Sequence, residues 1–303
     1  MKIAILADIH GNYIALEKCM KYALEKNITT FLFLGDYVGE LPCPERVMKM
    51  LYKIKEKYNC TFIRGNKENY WINYRNKDTD NHTDNVKWVD NNSTTGMLLY
   101  AYNHLTDKDI DFFDSLPITR IIDINGHAPF TICHGSPFLV NEDMIPGTDR
   151  IYEIMDASET DLIICGHTHR QNKTIHNNKV VLNPGSVGIP LSSEGKTQFL
   201  ILESNDKTWN ETFISLEYDV DKLISDMQKE KLHIHAPYWN YSTTRLLKDG
   251  KISNGTVLTK AMELCKLTTG ECHWPHIPEE YWEQAIKELY KLPNSNNFPL
   301  SPF

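Results

Sequence analysis

The first part of the chain alternates short apolar runs with longer amphipathic ones, the pattern that strands and helices leave when they take turns around a sheet. IAILA (residues 3–7) stops at Asp8. From Tyr13 to Lys26, Ile14, Leu16, Met20 and Leu24 recur at helical spacing, and TTFLFL (29–34) then ends at Gly35. A second unit repeats the scheme: Pro44 opens a helix over Glu45 to Lys57, and CTFIR (60–64) ends at Gly65 and Asn66.

Residues 73–95 are crowded with Asn, Asp and Thr and are expected to form a polar excursion, a lid or substrate-facing insertion, before helical patterning resumes near Met97. RIIDI (120–124) and FTICH (130–134), parted by the turn-like NGHAP, predict a hairpin. LIICGH (162–167), VVLNPGS (180–186), QFLILE (198–203) and ETFISLEY (211–218) read as further strands. From Val220 onward the pattern turns helical, over Val220 to Glu230, Thr256 to Lys266 and Pro278 to Lys291, with a Pro-rich end. The pattern contains no internal repeat and no transmembrane run.

At 303 residues with 41% hydrophobic content, the chain can bury a full core. Its formal charge of -8 gives no broad positive field, which argues against an extended nucleic-acid surface or attraction to anionic lipid. The N-terminal apolar run is too short for a signal peptide or membrane span, so a cytoplasmic location is expected. The odd set of seven scattered cysteines fits reduced thiols better than a disulfide framework. Cys133 and Cys165 read as small buried strand residues, and Cys265, Cys272, His273 and His276 lack the close spacing of a zinc site.

The chemistry gathers at strand ends. Five of them finish in residues able to bind a metal: Asp8 with His10, Asp36, Asn66, His134, and His167 with His169. Loops leaving the carboxyl ends of strands in an α/β sheet meet at one edge, so residues far apart in sequence can share a site. Asp80 with His82, and Gly126 with His127, repeat the same spacings in polar turns without a preceding strand and serve as controls. Two cations roughly 3.5 to 4 Å apart need a bridging carboxylate, neutral imidazoles and oxygen donors, and Asp36 suits the bridge. His167 and His169, two apart on an extended segment, project to the same side of the chain.

The ordered blocks DIHGN (8–12), GDYVG (35–39), GNKE (65–68), ICHGSP (132–137), GHTH (166–169) and NPGS (183–186) resemble those of the calcineurin-like metallophosphoesterases. The resemblance spans roughly the first 220 residues and is nearest the compact bacterial and archaeal branch, which is similar in LNPGSVG and in SLP before the hairpin. It implies a four-layer α/β/β/α sandwich of two mixed sheets flanked by helices, with a catalytic domain over residues 1–219 and a helical C-terminal extension over 220–303. It also implies one ion on Asp8, His10, Asp36 and His169 and another on Asp36, Asn66, His134 and His167, with a bridging hydroxide attacking phosphorus in line. Manganese, iron and zinc suit these donors equally, and the implied substrate is a phosphorylated small molecule or nucleotide, as a monoester or diester.

Two departures from the family pattern bear on mechanism. Lys67 stands where many members carry a histidine that assists the leaving group; it is a candidate catalytic residue or phosphate clamp, with nearby cations expected to lower its pKa. Gly39 and Glu40 stand where the protein serine/threonine phosphatases read Asp-Arg, so Asn12, Lys67 and Arg170 are the candidate substitutes for the missing phosphate-binding arginine. Gly185 and Ser186 are candidate rim residues, and Tyr70 and Trp71 could stack a base, as a dinucleoside polyphosphate hydrolase would require. The alternative from another class is an interaction scaffold, as in a retromer subunit with this fold. Trp239, Trp274 and Trp282 are expected to cap the active-site edge or form an oligomer contact.

Overall fold

The computed structural model describes residues 1–76, 87–205 and 208–293. Asp80, His82 and the Pro-rich end lie outside the described residues. β1 (Lys2–Leu6), α1 (Tyr13–Glu25), β2 (Thr30–Phe33), α2 (Pro44–Lys57) and β3 (Asn59–Phe62) follow the expected order. Next come α3 (Asn66–Asn76), α4 (Gly96–Asn103), α5 (Asp107–Asp114), β4 (Thr119–Ile122), β5 (Phe130–Cys133), α6 (Asp149–Ala157) and β6 (Leu162–Ile164). β7 (Gln171–His176), β8 (Lys179–Pro184), β9 (Thr197–Asn205) and β10 (Thr208–Leu216) complete the strands. The C-terminal helices are α7 (Val220–Lys229), α8 (Leu232–His235), α9 (Pro237–Asp249), α10 (Asn254–Thr269) and α11 (Glu279–Leu289).

The strands form two mixed sheets, in the orders β10-β9-β1-β2-β3 and β4-β5-β6-β8-β7. Alternation along each strand builds the layers, because successive side chains point to opposite faces. Ile3 and Ile5 of β1, Leu32 of β2 and Leu200 and Leu202 of β9 face the second sheet, where they meet Phe130, Ile132, Ile164 and Leu182. The intervening Ala4, Leu6, Phe31, Phe33 and Phe199 face α1 and α2. On the second sheet, Cys133, Ile163, Cys165 and Val181 face Ile151, Ile154 and Met155 of α6. The result is the α/β/β/α sandwich that the motif order implies. The 119–122 and 130–133 hairpin pairs as expected, Thr119 opposite Cys133.

The expected polar excursion over residues 73–95 is corrected at its ends, while its centre, residues 77–86, lies outside the described residues. Residues 73–76 continue α3, and residues 92–95 dock the C-terminal helices. Ser93 donates to the Glu279 carboxylate through its backbone N–H (2.7 Å) and hydroxyl (2.6 Å), and the Trp282 indole donates to Thr94 Oγ1 (3.1 Å). The helices α9, α10 and α11 hold an apolar cluster of their own around Tyr241, Val257, Ala261, Trp282 and Ile286. A second cluster joins α7 and α9 to Leu41, Met97 and Ile189 of the preceding chain. Among the described residues, no helix is long and apolar enough to cross a membrane.

Candidate metal centre

β1, β2 and β3 run parallel in one sheet, and β5, β6 and β8 run parallel in the other. The loops leaving their carboxyl ends meet and bond to one another. Backbone N–H groups of His10 and Gly166 donate to the carbonyls of Asp36 (2.9 Å) and His134 (2.8 Å), and those of Val187 and Gly188 donate to Ala7 and Asp8 (2.9 Å each). Asp8, His10, Asp36, His167 and His169 all adopt left-handed φ values between 50° and 66°. Such conformations cost non-glycine residues about 1–3 kcal/mol each and persist only where the surroundings over-determine them, commonly at functional sites. The loops also need glycine where they touch: a Cβ on Gly65 would lie 2.2 Å from Asp36 Oδ1.

The two carboxylates sit among the imidazoles. Asp36 Oδ2 lies 3.6 Å from His10 Nε2, and its Oδ1 lies 3.4 Å from His134 Nε2. Asp8 Oδ1 lies 3.3 Å from His169 Nε2, 3.8 Å from His10 Nε2 and 3.9 Å from His134 Nε2. Asn66 Oδ1 is 3.0 Å from His134 Nε2. His167 lies farther out: its backbone N–H donates to Asp8 Oδ2 (3.0 Å), its ring is 5.2 Å from that of His134, and its Nε2 is 3.4 Å from Asp143 Oδ1. All seven candidate ligands therefore reach one edge. Among the described residues, the trios close enough to share a cation are Asp8, His10 and His169, and Asp8, Asp36 and His134. The Cys265, Cys272, His273 and His276 group forms none, and all seven cysteines are free thiols.

The donors fit a metal. Asp8 Oδ1 is buried without a hydrogen-bond donor among the described residues, a costly state for a carboxylate oxygen that a cation would relieve. Carboxylate oxygens, imidazole nitrogens and an amide oxygen suit manganese, iron or zinc. Burial works against ionising Asp8, but the His169, His10 and His134 imidazoles outweigh it and hold its carboxyl well below the usual range. Burial likewise works against charging His10, and Glu40 and Asp8 overcome it, raising its pKa to about 10. For His134, Asp36 and Asp8 overcome burial and raise the value to about 9. A cation binding here competes with those protons.

Several supporting residues were not anticipated from sequence. Glu68 lies within the quoted GNKE block, yet its role emerges only in three dimensions: its buried carboxylate accepts from the N–H groups of Asp36 (2.9 Å), Tyr37 (2.9 Å) and Gly65 (2.7 Å). Burial and then the charge of Asp36 push its pKa up to about 7. Glu40 contacts both His10 and Lys67. The Leu34 carbonyl meets His134 Nδ1 at 2.6 Å, turning Nε2 toward the carboxylates.

The family model described as the calcineurin-like phosphoesterase superfamily domain matches residues 1–207. The chain belongs to this superfamily. It is 24% identical over 254 residues to the uncharacterized protein MJ0912 of Methanocaldococcus jannaschii, an alignment covering 78% of this chain and 94% of the relative. The hypothetical protein PH1004 of Pyrococcus horikoshii superposes with a TM-score of 0.67 at 22% identity, covering 83% of this chain and 99% of the other. A metallophosphoesterase of Sphaerobacter thermophilus gives 0.63 at 21% identity, covering 82% and 100%. At these identities the structures speak to the fold.

Within the superfamily framework, the candidate substrate residues divide. Asn12 is fully buried, and its amide caps α1 through Ala15 N–H (3.0 Å) and donates to the Gly188 carbonyl (2.9 Å) and the Tyr218 hydroxyl (3.1 Å). That commitment leaves no donor for phosphate, so Asn12 is corrected to a structural cap. Ser186 is also internal, its hydroxyl donating to the Asp8 carbonyl (2.7 Å). Gly185 turns at φ 78°, and its N–H is taken by Asn183. Trp71 is fully buried against Trp88 and cannot stack a base, while half-buried Tyr70 stacks on Trp274. Arg170 is exposed and anchored to Ser192 Oγ at 2.7 Å. Lys67 pairs with Glu40 at 2.8 Å; burial opposes its charge, but Glu40 prevails and raises its pKa.

The edge carrying the candidate ligands forms one wall of a cleft of about 750 Å³, lined also by Lys67, Arg170, Trp239, Asn254, Thr256 and Lys260. Its opposite wall is thus built from α9 and α10. A smaller apolar recess beside Lys67 and Trp239 includes Tyr70 and Trp274.

Proposed function

We propose that the chain hydrolyses phosphomonoesters or phosphodiesters of small molecules or nucleotides, using two divalent or trivalent cations. Asp8, His10, Asp36 and His169 would hold one, and Asp36, Asn66, His134 and His167 the other. The observation that carries this proposal is Asp36, whose two carboxylate oxygens face different histidines. Bound cations supply activated solvent and neutralise charge on the phosphoryl oxygens.

The chain's own residues orient and polarise. Glu68 fixes the Asp36 loop through three backbone N–H groups, and the Leu34 carbonyl orients His134. Glu40 keeps Lys67 charged, which favours Lys67 as a clamp on a phosphoryl oxygen over a proton donor to the leaving group. Arg170 offers a second cation at the cleft rim. A cleft of about 750 Å³ falls within the usual span for small-molecule sites. Free thiols support a cytosolic site of action.

Purified protein supplied with manganese, iron or zinc should cleave 4-nitrophenyl phosphate or its bis ester. Absence of turnover with every metal and ester would overturn the assignment. The Lys67–Glu40 pair, which removes a ready acid, favours one alternative: a weakly active scaffold. Under that alternative, His167→Ala would leave partner binding intact in a protein that takes up no metal.

A further inference from the structure

The Glu40 carboxylate is 5% exposed and borders the cleft. One oxygen accepts from the Lys67 ammonium at 2.8 Å, and the other lies against His10 Nδ1, two buried atoms that have no other hydrogen-bond partner among the described residues. Across the same imidazole, His10 Nε2 faces His169 Nε2 (3.1 Å), Asp36 (3.6 Å) and Asp8 (3.8 Å). A neutral imidazole with an acceptor at Nδ1 keeps its proton there and presents the Nε2 lone pair to a metal. Gly39 leaves room for this contact, since a Cβ at that position would lie 3.1 Å from His10 Nδ1. Lys67 carries a flexible stem, and its Nζ rests 5.6 Å from the Tyr70 ring and 5.8 Å from the Trp239 ring. Those rings attract the ammonium without fixing its direction, whereas the hydrogen bond to Glu40 does.

We infer that Glu40 is the positioning residue of the site, one carboxylate serving two partners. It sets the His10 tautomer that turns Nε2 toward a cation, and it anchors the Lys67 ammonium at the cleft. The Lys67 half rests on the phosphoester-hydrolase proposal; the His10 half can be measured without turnover. Glutamine cannot replace this carboxylate, because its single oxygen can accept from one partner while its NH₂ group confronts the other.

The test compares the full chain with Glu40→Gln, Lys67→Met and the double variant, each checked for folding by circular dichroism. Nitrogen-15 NMR of the zinc-loaded wild type should find the His10 proton on Nδ1; a proton on Nε2 overturns the inference without recourse to any variant. Calorimetry should find manganese affinity about 10- to 100-fold weaker in Glu40→Gln, the usual effect of removing a residue that orients a metal ligand. Lys67→Met should keep the affinity and the tautomer but raise KM for 4-nitrophenyl phosphate. The kinetic losses in the double variant should fall short of the product of the single losses, because Glu40 and Lys67 act through one contact. Wild-type affinity and tautomer in Glu40→Gln would overturn the inference. A wild type that binds manganese yet turns over no ester would sink the hydrolase proposal, while affinity and tautomer would still decide the role of Glu40.

Discussion

The edge that carries the candidate metal ligands and the C-terminal helices are both buried, but they are held by opposite means. At the edge, Asp8, His10, Asp36 and His134 are almost fully enclosed, most on left-handed backbone, and the loops carrying them bond to one another. In α9, α10 and α11, the enclosed groups are largely apolar or aromatic and pack as an ordinary helical cluster. The first arrangement desolvates charge and strains backbone, so it is stable only within the sandwich. The second follows standard packing and shapes the cleft from outside. Local rules are broken where chemistry is proposed and obeyed where a wall is needed.

The contrast makes distinct predictions. The largest effect should come from Trp282→Ala. This fully buried indole bonds to Thr94, and its loss should cost about 3–5 kcal/mol in urea unfolding while metal content per folded chain stays unchanged. A parallel loss of metal would break the proposed separation of wall and centre. Asp36→Asn should do the reverse. Removing a partner that merely supports a metal ligand costs about 10- to 100-fold, so neutralising the ligand itself should lower manganese affinity and turnover by at least about a hundredfold, with helical circular dichroism preserved.

The smallest effect is a pH dependence. Although burial opposes their charged forms, the carboxylates around His10 and His134 raise their pKa values to about 10 and about 9. Raised folded values mean that the stabilisation is complete below the unfolded value of about 6.5 and is lost as pH climbs through 9 to 10. Chelator-treated protein should therefore lose at least about 2 °C in Tm between pH 6.5 and 10. Manganese-loaded protein, with neutral imidazole ligands, should shift less. Equal shifts in differential scanning fluorimetry would argue against the cluster.

The edge was legible in sequence because each hydrophobic run stops abruptly at a residue with metal chemistry, as IAILA does at Asp8 and FTIC at His134. The helices α1, α2, α7, α10 and α11 were legible for the same kind of reason, their apolar positions recurring at helical spacing. α9 escaped because PYWNYSTTRLLKD is buried on nearly all sides and rich in residues with weak helix propensity, so it lacks the polar face that marks a helix. α3 escaped because its Asn-rich start resembles a loop, and β7 because QNKTIH pairs along only one side, at the edge of its sheet. Glu40 stood out in sequence only as a departure from the phosphatase pattern: its role depends on His10, after β1, and Lys67, in the first turn of α3, which meet only once the sheet has formed.

By the proposed function, loops from both sheets close around a pair of cations. Crystals grown with manganese, measured for anomalous scattering at the manganese edge, test it most directly. Two peaks roughly 3.5 to 4 Å apart, with Asp36 between them and His10 and His134 on opposite sides, are predicted. A single peak, or manganese bound elsewhere while these side chains remain ordered, would contradict it.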